Sequence, residues 1–142
     1  MELARRSIGT NDAAMRAALV TADLPISDLE ASNGSFFRFE ENGVLVGFAG
    51  YEEHDGSALL RSVVVVPSAR GTGSGRAIVE ALLRAMRDNG IERTYLLTTT
   101  AEDFFRHLGF AEIARQEAPA AILATPQAMT ICRTAALLSR AT

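Results

Sequence analysis

A glycine-rich segment carries the clearest chemical signal in this sequence. It follows the β-branched run Val63–Val66 and Pro67, and it precedes a segment with helical periodicity. Glycines let backbone N–H groups approach an anion closely, and a helix that begins here adds the positive end of its dipole. The segment therefore predicts a binding site for the phosphates of a cofactor. Its residues are Arg70, Gly71, Thr72, Gly73, Ser74, Gly75 and Arg76.

A second group of residues could carry acid–base chemistry. Glu52 and His54 lie near the end of a predicted strand, and Asp55-Gly56 is a favoured two-residue turn. That turn places Glu52 opposite Leu59 and diagonal to Arg61, on one face of a sheet. Glu52 is our candidate general base or water-relay acceptor, and Arg61 is our candidate clamp for a substrate carboxylate or other anionic group. The alternatives are a Glu52–Arg61 salt bridge on a solvated face, and His54 as the base.

Two common phosphate-binding motifs do not fit the glycine-rich segment. A dinucleotide-binding fold requires G-x-G-x-x-G and an acidic residue about 20 positions later, and a P-loop requires G-K-[ST]. Neither pattern is present in the sequence. The segment therefore belongs to another class of phosphate site.

Length and composition restrict the possible partners. The 142 residues fit one domain, 1–142, and the formal charge is −3 with all 14 basic residues arginine. Without a basic surplus, we expect no nucleic-acid or membrane binding. A lone cysteine, Cys132, excludes an internal disulfide and a cysteine-based metal cluster, so we expect no metal. No signal peptide or membrane span is visible, which predicts a cytoplasmic protein.

The first half of the chain reads as a helix followed by an antiparallel meander. The turn pairs Asn42-Gly43 and Asp55-Gly56 separate strand-like runs. A helix capped by Thr10 or Asn11 runs to about Thr21, and Pro25 stops it. Ser27 or Asp28 then starts a short helix within the segment Leu24–Leu29, which we expect to face the substrate. The predicted strands are Glu2–Ile8, Ser35–Glu41, Val44–Glu53 and Ala58–Val66.

The second half alternates strands and helices. Apolar residues recur at helical spacing over Arg76–Asn89, and Gly90 supplies the C-terminal cap. A strand at Arg93–Thr98 follows, so a right-handed crossover makes it parallel to the strand that ends at Val66. The remaining predicted elements are a helix Glu102–Leu108, a strand Phe110–Gln116, helical pieces at Pro119 and Pro126, and a strand Ala135–Arg140.

Two motifs resemble those of the GNAT N-acetyltransferase superfamily. Arg70-x-x-Gly73-x-Gly75 after a β-branched strand resembles its acetyl-CoA-binding motif. The segment Ala101–Phe110 is similar to its A-x-x-F-Y-x-x-x-G-F segment. The resemblance extends over nearly the whole chain. It implies a mixed α/β fold of about six to seven strands, with an antiparallel N-terminal meander, splayed parallel central strands and helices on both faces.

The resemblance also implies where the cofactor acetyl-CoA binds. The pantetheine arm enters between the splayed strands and pairs with the backbone of Val63, Val64 and Val65, and the glycine-rich segment holds the pyrophosphate. Phe104 and Phe105 pack along this channel. Many members carry a tyrosine at the position of Phe105 and use its hydroxyl to protonate the departing thiolate, which a phenylalanine cannot do.

The implied activity is direct acetyl transfer to the amine of a small, amino-acid-like substrate. We assign Leu24, Asp28, Arg61 and Thr99 to substrate binding. Short strings such as Leu24-Pro-x-x-Asp-Leu29 and Leu96–Ala101 are similar to an arsenic-resistance N-acetyltransferase-like branch, which implies a role in arsenic or toxic amino-acid resistance. Acetylation of a protein or peptide amine and a non-catalytic CoA-binding regulatory module are the alternatives. Family analogy favours a homodimer.

Overall fold

Seven strands form one mixed sheet in the computed structural model, which describes residues 3–142. Their order is β1-β2-β3-β4-β5-β7-β6, and β4–β5 is the parallel pair. The N-terminal meander of β1 to β4 is antiparallel, as predicted. The strands are β1 Ala4–Ile8, β2 Ser35–Glu41, β3 Val44–His54, β4 Ser57–Val65, β5 Arg93–Thr98, β6 Ala111–Glu112 and β7 Ala136–Ala141.

Four α-helices cover the two faces of this sheet. They are α1 Ala13–Thr21, α2 Ser74–Asp88, α3 Glu102–His107 and α4 Ala120–Leu123. Ala58 and Leu60 of β4 share an apolar cluster with α2 and α3, whereas Leu59 packs with Ile122 of α4. Because neighbouring side chains of a strand point to opposite faces, α2 and α3 lie on one face and α4 on the other. The apolar cluster that contains α1 joins Phe48 of β3 to Val64 of β4. The prediction of helices on both faces is confirmed.

Helix α2 shows how the local signals fix an element. Its buried residues Ile78, Val79, Leu82, Leu83 and Met86 follow the predicted helical spacing. At its end the Gly90 N–H donates to Arg87 O and the Ile91 N–H to Met86 O, both at 3.0 Å. This pair of bonds is a Schellman cap, so the predicted glycine cap is confirmed. The helix begins two residues earlier than predicted, at Ser74.

Two predictions for the N-terminal part need correction. The cap of α1 is Asp12, whose Oδ1 accepts a 2.9 Å bond from the Met15 N–H, and not Thr10 or Asn11. No helix starts at Ser27 or Asp28, because residues 27–33 form turns in which the Ser32 hydroxyl bonds to Leu29 O. We call residues 24–33 the acceptor loop, after the substrate-facing role that the sequence analysis predicts for Leu24–Leu29. The predicted first strand begins at Ala4 in the structure, and its Glu2 lies outside the described residues.

The predicted strand Phe110–Gln116 is also mostly wrong. Only Ala111–Glu112 pairs with β7, and Arg115–Glu117 forms a 3-10 turn. The Glu117 carboxylate accepts a 2.9 Å bond from the Ala114 N–H, which stabilises the turn instead of an extended strand. The two helical pieces predicted in the tail are confirmed as α4 and a π-helical turn at Gln127–Ile131. Within the described residues, no helix is long and apolar enough to cross a membrane.

Candidate active site

The parallel strands β4 and β5 separate after a short paired stretch. Pairing covers Ser57–Leu59 and Arg93–Tyr95 and then ends. A cavity of about 470 Å³ lies between the strands beyond this point, and we call it the first cavity. The predicted splay of the central strands is therefore confirmed. Residues from both strands line the first cavity, together with Leu24, Arg70 and Phe105; the strand residues are Leu60–Val65 and Leu96–Thr98.

A bulge in β4 accounts for the separation. Phe48 of β3 pairs with Val64 and Gly50 pairs with Arg61, so β4 holds one more residue than β3 in this interval. Ser62 takes a left-handed conformation with φ 59°, which is uncommon for a residue with a side chain. A bulge bends its strand and interrupts the ladder. In the described structure, residues 63–65 do not pair with β5. Their backbone groups on that edge of β4 are consequently available for hydrogen bonds to an extended ligand.

The glycine-rich segment begins α2 beside the first cavity. Gly73 precedes the helix with φ 82°, a conformation that glycine adopts without steric cost. The first backbone N–H groups of α2 have no partner within the helix, and they follow a glycine-rich loop whose Arg70 lines the first cavity. A Cβ at Gly75 would lie 3.2 Å from the ring of Phe104, so the loop also packs closely on α3. Arg76 forms an exposed 2.8 Å ion pair with Glu80.

Arg61 is the centre of a buried ion cluster. Its Nη1 and Nη2 donate to the two carboxylate oxygens of Asp28 at 2.7 and 2.8 Å. Nη1 also donates to Glu52 Oε2 at 2.9 Å, and Nε to Ser62 Oγ at 3.2 Å. The side chains of Arg61, Glu52 and Asp28 are only 1%, 2% and 4% exposed. Burial opposes the charge of Arg61, but the hydrogen bonds and charges of Asp28 and Glu52 outweigh it and raise the pKa of the guanidinium.

This geometry changes the interpretation of Arg61 and Glu52. The predicted register, with Glu52 opposite Leu59, is confirmed, and the Glu52–Arg61 ion pair is present. The alternative of a salt bridge on a solvated face is wrong, because both side chains are buried. Asp28, which we assigned to the substrate, instead makes a bidentate bond to Arg61. Arg61 lines the first cavity, but its charge is already paired with protein carboxylates.

His54 connects Glu52 to the outside of the cluster. Its Nε2 lies 2.9 Å from Glu52 Oε1, and the imidazole is one-quarter exposed. The two residues line a cavity of about 210 Å³, together with Ser32 and Thr125. Among the residues that the structure describes, those that line the first cavity do not include Glu52.

A second cavity, of about 340 Å³, adjoins the first. The two share the lining residues Leu24, Leu97, Thr98 and Thr100, so they lie side by side. Thr99 lines the second cavity, as do Cys132 and Thr134 of the C-terminal segment. The structure therefore brings two predicted substrate residues, Leu24 and Thr99, to one wall. Among residues 3–142, no cluster of side chains with metal-binding composition occurs.

Arg115 shapes the second cavity and was missed by the sequence analysis. Its Nη1 donates to Ala128 O at 2.9 Å, and its Nη2 donates to Cys132 O at 2.8 Å and to Ala135 O at 3.0 Å. One guanidinium thereby bonds to three carbonyls of the segment that forms the cavity wall. Because these partners are 13 to 20 residues away in the chain, no local pattern reveals the role.

The comparisons with known proteins agree with this architecture. The sequence model of the Acetyltransferase (GNAT) family matches residues 8–110. An amino-acid acetyltransferase of Mycobacterium tuberculosis is 46% identical over 54 residues, 38% of this chain and 30% of that protein. The chloroplastic GCN5-related N-acetyltransferase 2 of Arabidopsis thaliana is 33% identical over 86 residues, 59% of this chain and 33% of that protein. The chain thus spans about a third of the length of these relatives.

Two solved structures show the same fold. N-acetylglutamate synthase from Neisseria gonorrhoeae, complexed with coenzyme A and N-acetyl-glutamate, matches 99% of this chain and 35% of its own, with a TM-score of 0.84 and 18% identity. A GNAT-family acetyltransferase from Staphylococcus aureus matches 97% of this chain and 99% of its own, with a TM-score of 0.73 and 19% identity. Since the family match covers most of a chain that also has the splayed strands and the glycine-rich helix start, this protein belongs to the GNAT acetyltransferase family.

Proposed function

We propose that this protein transfers an acetyl group from acetyl-CoA to the amine of a small, amino-acid-like substrate by direct transfer. The observation that carries the proposal is the adjacent pair of cavities at the β4–β5 splay, which share four lining residues. The first cavity is lined by β4 residues that do not pair with β5 and by Arg70, which precedes the glycine-rich helix start, and this combination suits a phosphorylated, extended cosubstrate. The second meets it at Leu24 and Thr98, where an acceptor amine can reach the thioester.

The cosubstrate side of the proposal assigns roles to three groups of residues. The backbone of Val63, Val64 and Val65 pairs with the pantetheine arm. The loop from Arg70 to Arg76 and the first N–H groups of α2 bind the pyrophosphate, where the helix dipole stabilises negative charge. Phe105, which lines the first cavity, packs along the arm, and Phe104 supports the glycine loop.

The chemistry requires a proton acceptor and a leaving group. The ammonium first loses one proton to become a nucleophilic amine. The amine nitrogen then attacks the thioester carbonyl carbon, a C–N bond forms, the C–S bond breaks, and the nitrogen loses a second proton to water. An aliphatic ammonium has a pKa of about 10, so a base must take its proton near neutral pH. We assign this role to Glu52 acting through water, with His54 passing the proton to solvent. Phe105 has no hydroxyl, so coenzyme A leaves as a thiolate, which a thiol pKa of about 8.5 permits.

The acceptor class rests on the relatives and on the second cavity. Curated relatives include amino-acid acetyltransferases, and one matched structure contains N-acetyl-glutamate. Four threonine hydroxyls, at Thr98, Thr99, Thr100 and Thr134, line a cavity of a size suited to a small acceptor. The narrower assignment to arsenic or toxic amino-acid resistance rests on the short strings of the acceptor loop and β5, and it stays a prediction.

One observation favours a second candidate, a CoA-binding module without catalysis. Glu52 is paired with Arg61 at 2.9 Å and Phe105 cannot donate a proton, so the two groups that usually promote transfer are restrained or absent. The glycine-rich loop is compatible with both functions. A peptide amine is a further alternative acceptor.

The deciding experiment measures acetyl-CoA-dependent thiol release with a panel of acceptors. The panel contains free amino acids, phosphorus- and arsenic-bearing analogues, polyamines and peptides, with a no-acceptor control. Turnover with free amino acids or their analogues supports the proposal and names the class. Turnover with peptides alone selects the peptide alternative. Acetyl-CoA binding without turnover on any acceptor supports the CoA-binding module.

A further inference from the structure

The Arg61 cluster joins the two sides of the proposed site. Arg61 lies on β4 immediately before the bulge, and Asp28 lies in the acceptor loop, four residues after Leu24. We infer that Arg61 is a positioning residue: together with Asp28 it fixes the acceptor loop against the bulged cofactor strand, and it does not bind a carboxylate of the acceptor. This inference rests on the proposed function, because it concerns the wall at which the acceptor binds.

The hydrogen bonds of Arg61 leave little capacity for a substrate. A guanidinium has five N–H donors, and four of them bond to Ser62, Asp28 and Glu52 within the described chain. The side chain is 1% exposed. A substrate carboxylate would have to displace Asp28 from a bidentate pair that is already desolvated. Removing one partner of such a pair leaves a buried charge uncompensated, so the exchange is unfavourable.

The same bonds support the unusual backbone of the bulge. Ser62 has a positive φ, and its Oγ accepts a hydrogen bond from Arg61 Nε at 3.2 Å. The Phe36 ring lies 5.6 Å from the Arg61 Cζ and packs against the guanidinium from β2. The planar side chain of Arg61, which is hydrogen-bonded and packed, therefore holds Ser62 in place. Ser62 is the residue after which Val63–Val65 turn towards the first cavity.

The acceptor loop depends on Asp28 for its hydrogen bonds to the sheet. Its other bonds are local or reach α1: the Leu29 N–H donates to Ile26 O, the Ser32 hydroxyl to Leu29 O, and the Leu24 N–H to Leu19 O. Among residues 3–142, the hydrogen bonds from Arg61 to Asp28 are the only ones that join the acceptor loop to a strand. Loss of the pair therefore loosens the wall that carries Leu24, while the apolar packing of Leu24, Ile26 and Leu29 against α1 and the sheet still holds the loop in place.

Steady-state kinetics separates positioning from substrate binding. Arg61→Lys keeps the charge but loses the bidentate geometry, and Asp28→Asn keeps the size but loses the charge. We expect each substitution to raise the acceptor KM about tenfold. The increase should be equal for an amino acid and for the amine that lacks its carboxyl group, since a small displacement of the acceptor loop misplaces both substrates. Acetyl-CoA affinity should stay within about twofold in Asp28→Asn, because this substitution touches neither the pyrophosphate loop nor the Ser62 bulge, whereas Arg61→Lys also loses the bond to Ser62 and should weaken acetyl-CoA binding. An increase confined to the amino acid would overturn the inference, because it would show that Arg61 binds the carboxylate.

A second measurement does not depend on finding an acceptor. Amide hydrogen exchange should be faster over residues 24–33 in both variants than in the unmodified protein, with α2 and β7 unchanged. Arg106→Lys is the matched control, since Arg106 pairs with Glu102 at 2.9 Å on the exposed surface of α3. If Asp28→Asn does not fold, Asp28→Glu keeps the charge and moves it by one methylene, and the same increase is expected. Unchanged exchange in the acceptor loop would overturn the inference whether or not an acceptor is known.

Discussion

Glu52 and His54 lie two residues apart on one face of β3, with the imidazole Nε2 2.9 Å from Glu52 Oε1. The other carboxylate oxygen, Oε2, accepts a 2.9 Å bond from Arg61 Nη1. One oxygen thus contacts an imidazole, and the other contacts a guanidinium cation. Because His54 is partly exposed and Glu52 is buried, the imidazole lies between the proposed proton acceptor and solvent.

Glu52→Gln tests the proton-acceptor role directly. The amide oxygen can still accept a bond from Arg61 Nη1, but the side chain cannot accept a proton at neutral pH. We expect kcat to fall by about 10²- to 10⁴-fold, with little change in acetyl-CoA affinity. The measurement is the pH profile of kcat, with Glu53→Gln as the control, since Glu53 is the exposed neighbour on β3. An intact Glu52→Gln protein with full activity over the pH range would remove Glu52 from the mechanism.

Gly73→Ala tests the phosphate role of the helix start. Gly73 has φ 82°, where a side chain costs about 1 kcal/mol even though open space surrounds the Cβ position. We expect a loss of about 1 kcal/mol in the free energy of unfolding and a higher Kd for acetyl-CoA, because relief of the strain rotates the N–H groups of the loop. Isothermal titration and chemical denaturation measure the two effects.

Gly90→Ala is the matched control for this change. Gly90 has φ 79° and also lies in open space, but at the opposite end of α2. It should show the same loss of stability with unchanged acetyl-CoA affinity. Equal effects of both substitutions on affinity would contradict a specific role for the glycine-rich loop.

Local signals predicted the elements whose residues interact over short distances. The turn pair Asp55-Gly56 fixed the register that places Glu52 opposite Leu59, and helical periodicity located α2. The strand predicted to Gln116 failed because the Glu117 carboxylate, an exposed side chain, bonds back to the Ala114 N–H. Propensity alone does not report such competition between a side chain and a β-ladder.

The sequence predicted which residues belong to the candidate site, but it did not predict how Asp28, Arg61 and Glu52 contact one another. The Glu52–Arg61 pair follows from β3–β4 register, whereas Asp28 reaches Arg61 across 33 residues of chain. The acceptor loop that carries Asp28 was predicted to be partly helical, which gave no reason to bring its carboxylate to β4. Burial of the cluster, which decides between a clamp and a structural ion pair, is a tertiary property.

Gly47→Ala tests how closely β3 supports the bulged strand. A Cβ at Gly47 would lie 2.3 Å from the backbone oxygen of Val64 and 2.8 Å from Ile78 Cδ1. Because backbone cannot move aside as a side-chain end can, we expect a loss of about 1–3 kcal/mol in stability and weaker acetyl-CoA binding. Thermal unfolding and titration measure these effects. Gly43→Ala, in the β2–β3 turn with no atoms within 4 Å of the added Cβ, should leave acetyl-CoA affinity unchanged. Wild-type affinity in Gly47→Ala would show that β3 does not set the shape of the cofactor strand.

Cys132 reports on the electrostatics of the second cavity. Burial raises the pKa of its thiol, the negative charge of Asp28 raises it further, and Arg61 and Arg115 oppose the increase. A raised pKa means that the thiolate, which is the reactive form, appears at higher pH than in a free cysteine. We therefore expect slow alkylation by iodoacetamide at neutral pH, with a rate whose pH midpoint lies above that of a free cysteine. Mass spectrometry of the labelled protein measures the rate, and Cys132→Ser is a complete control because the sequence has no other cysteine.

Asp28→Asn should move the midpoint of Cys132 alkylation to lower pH because it removes a negative charge. A midpoint at the value of a free cysteine, unchanged by Asp28→Asn, would show that the thiol is neither buried nor near the Arg61 cluster.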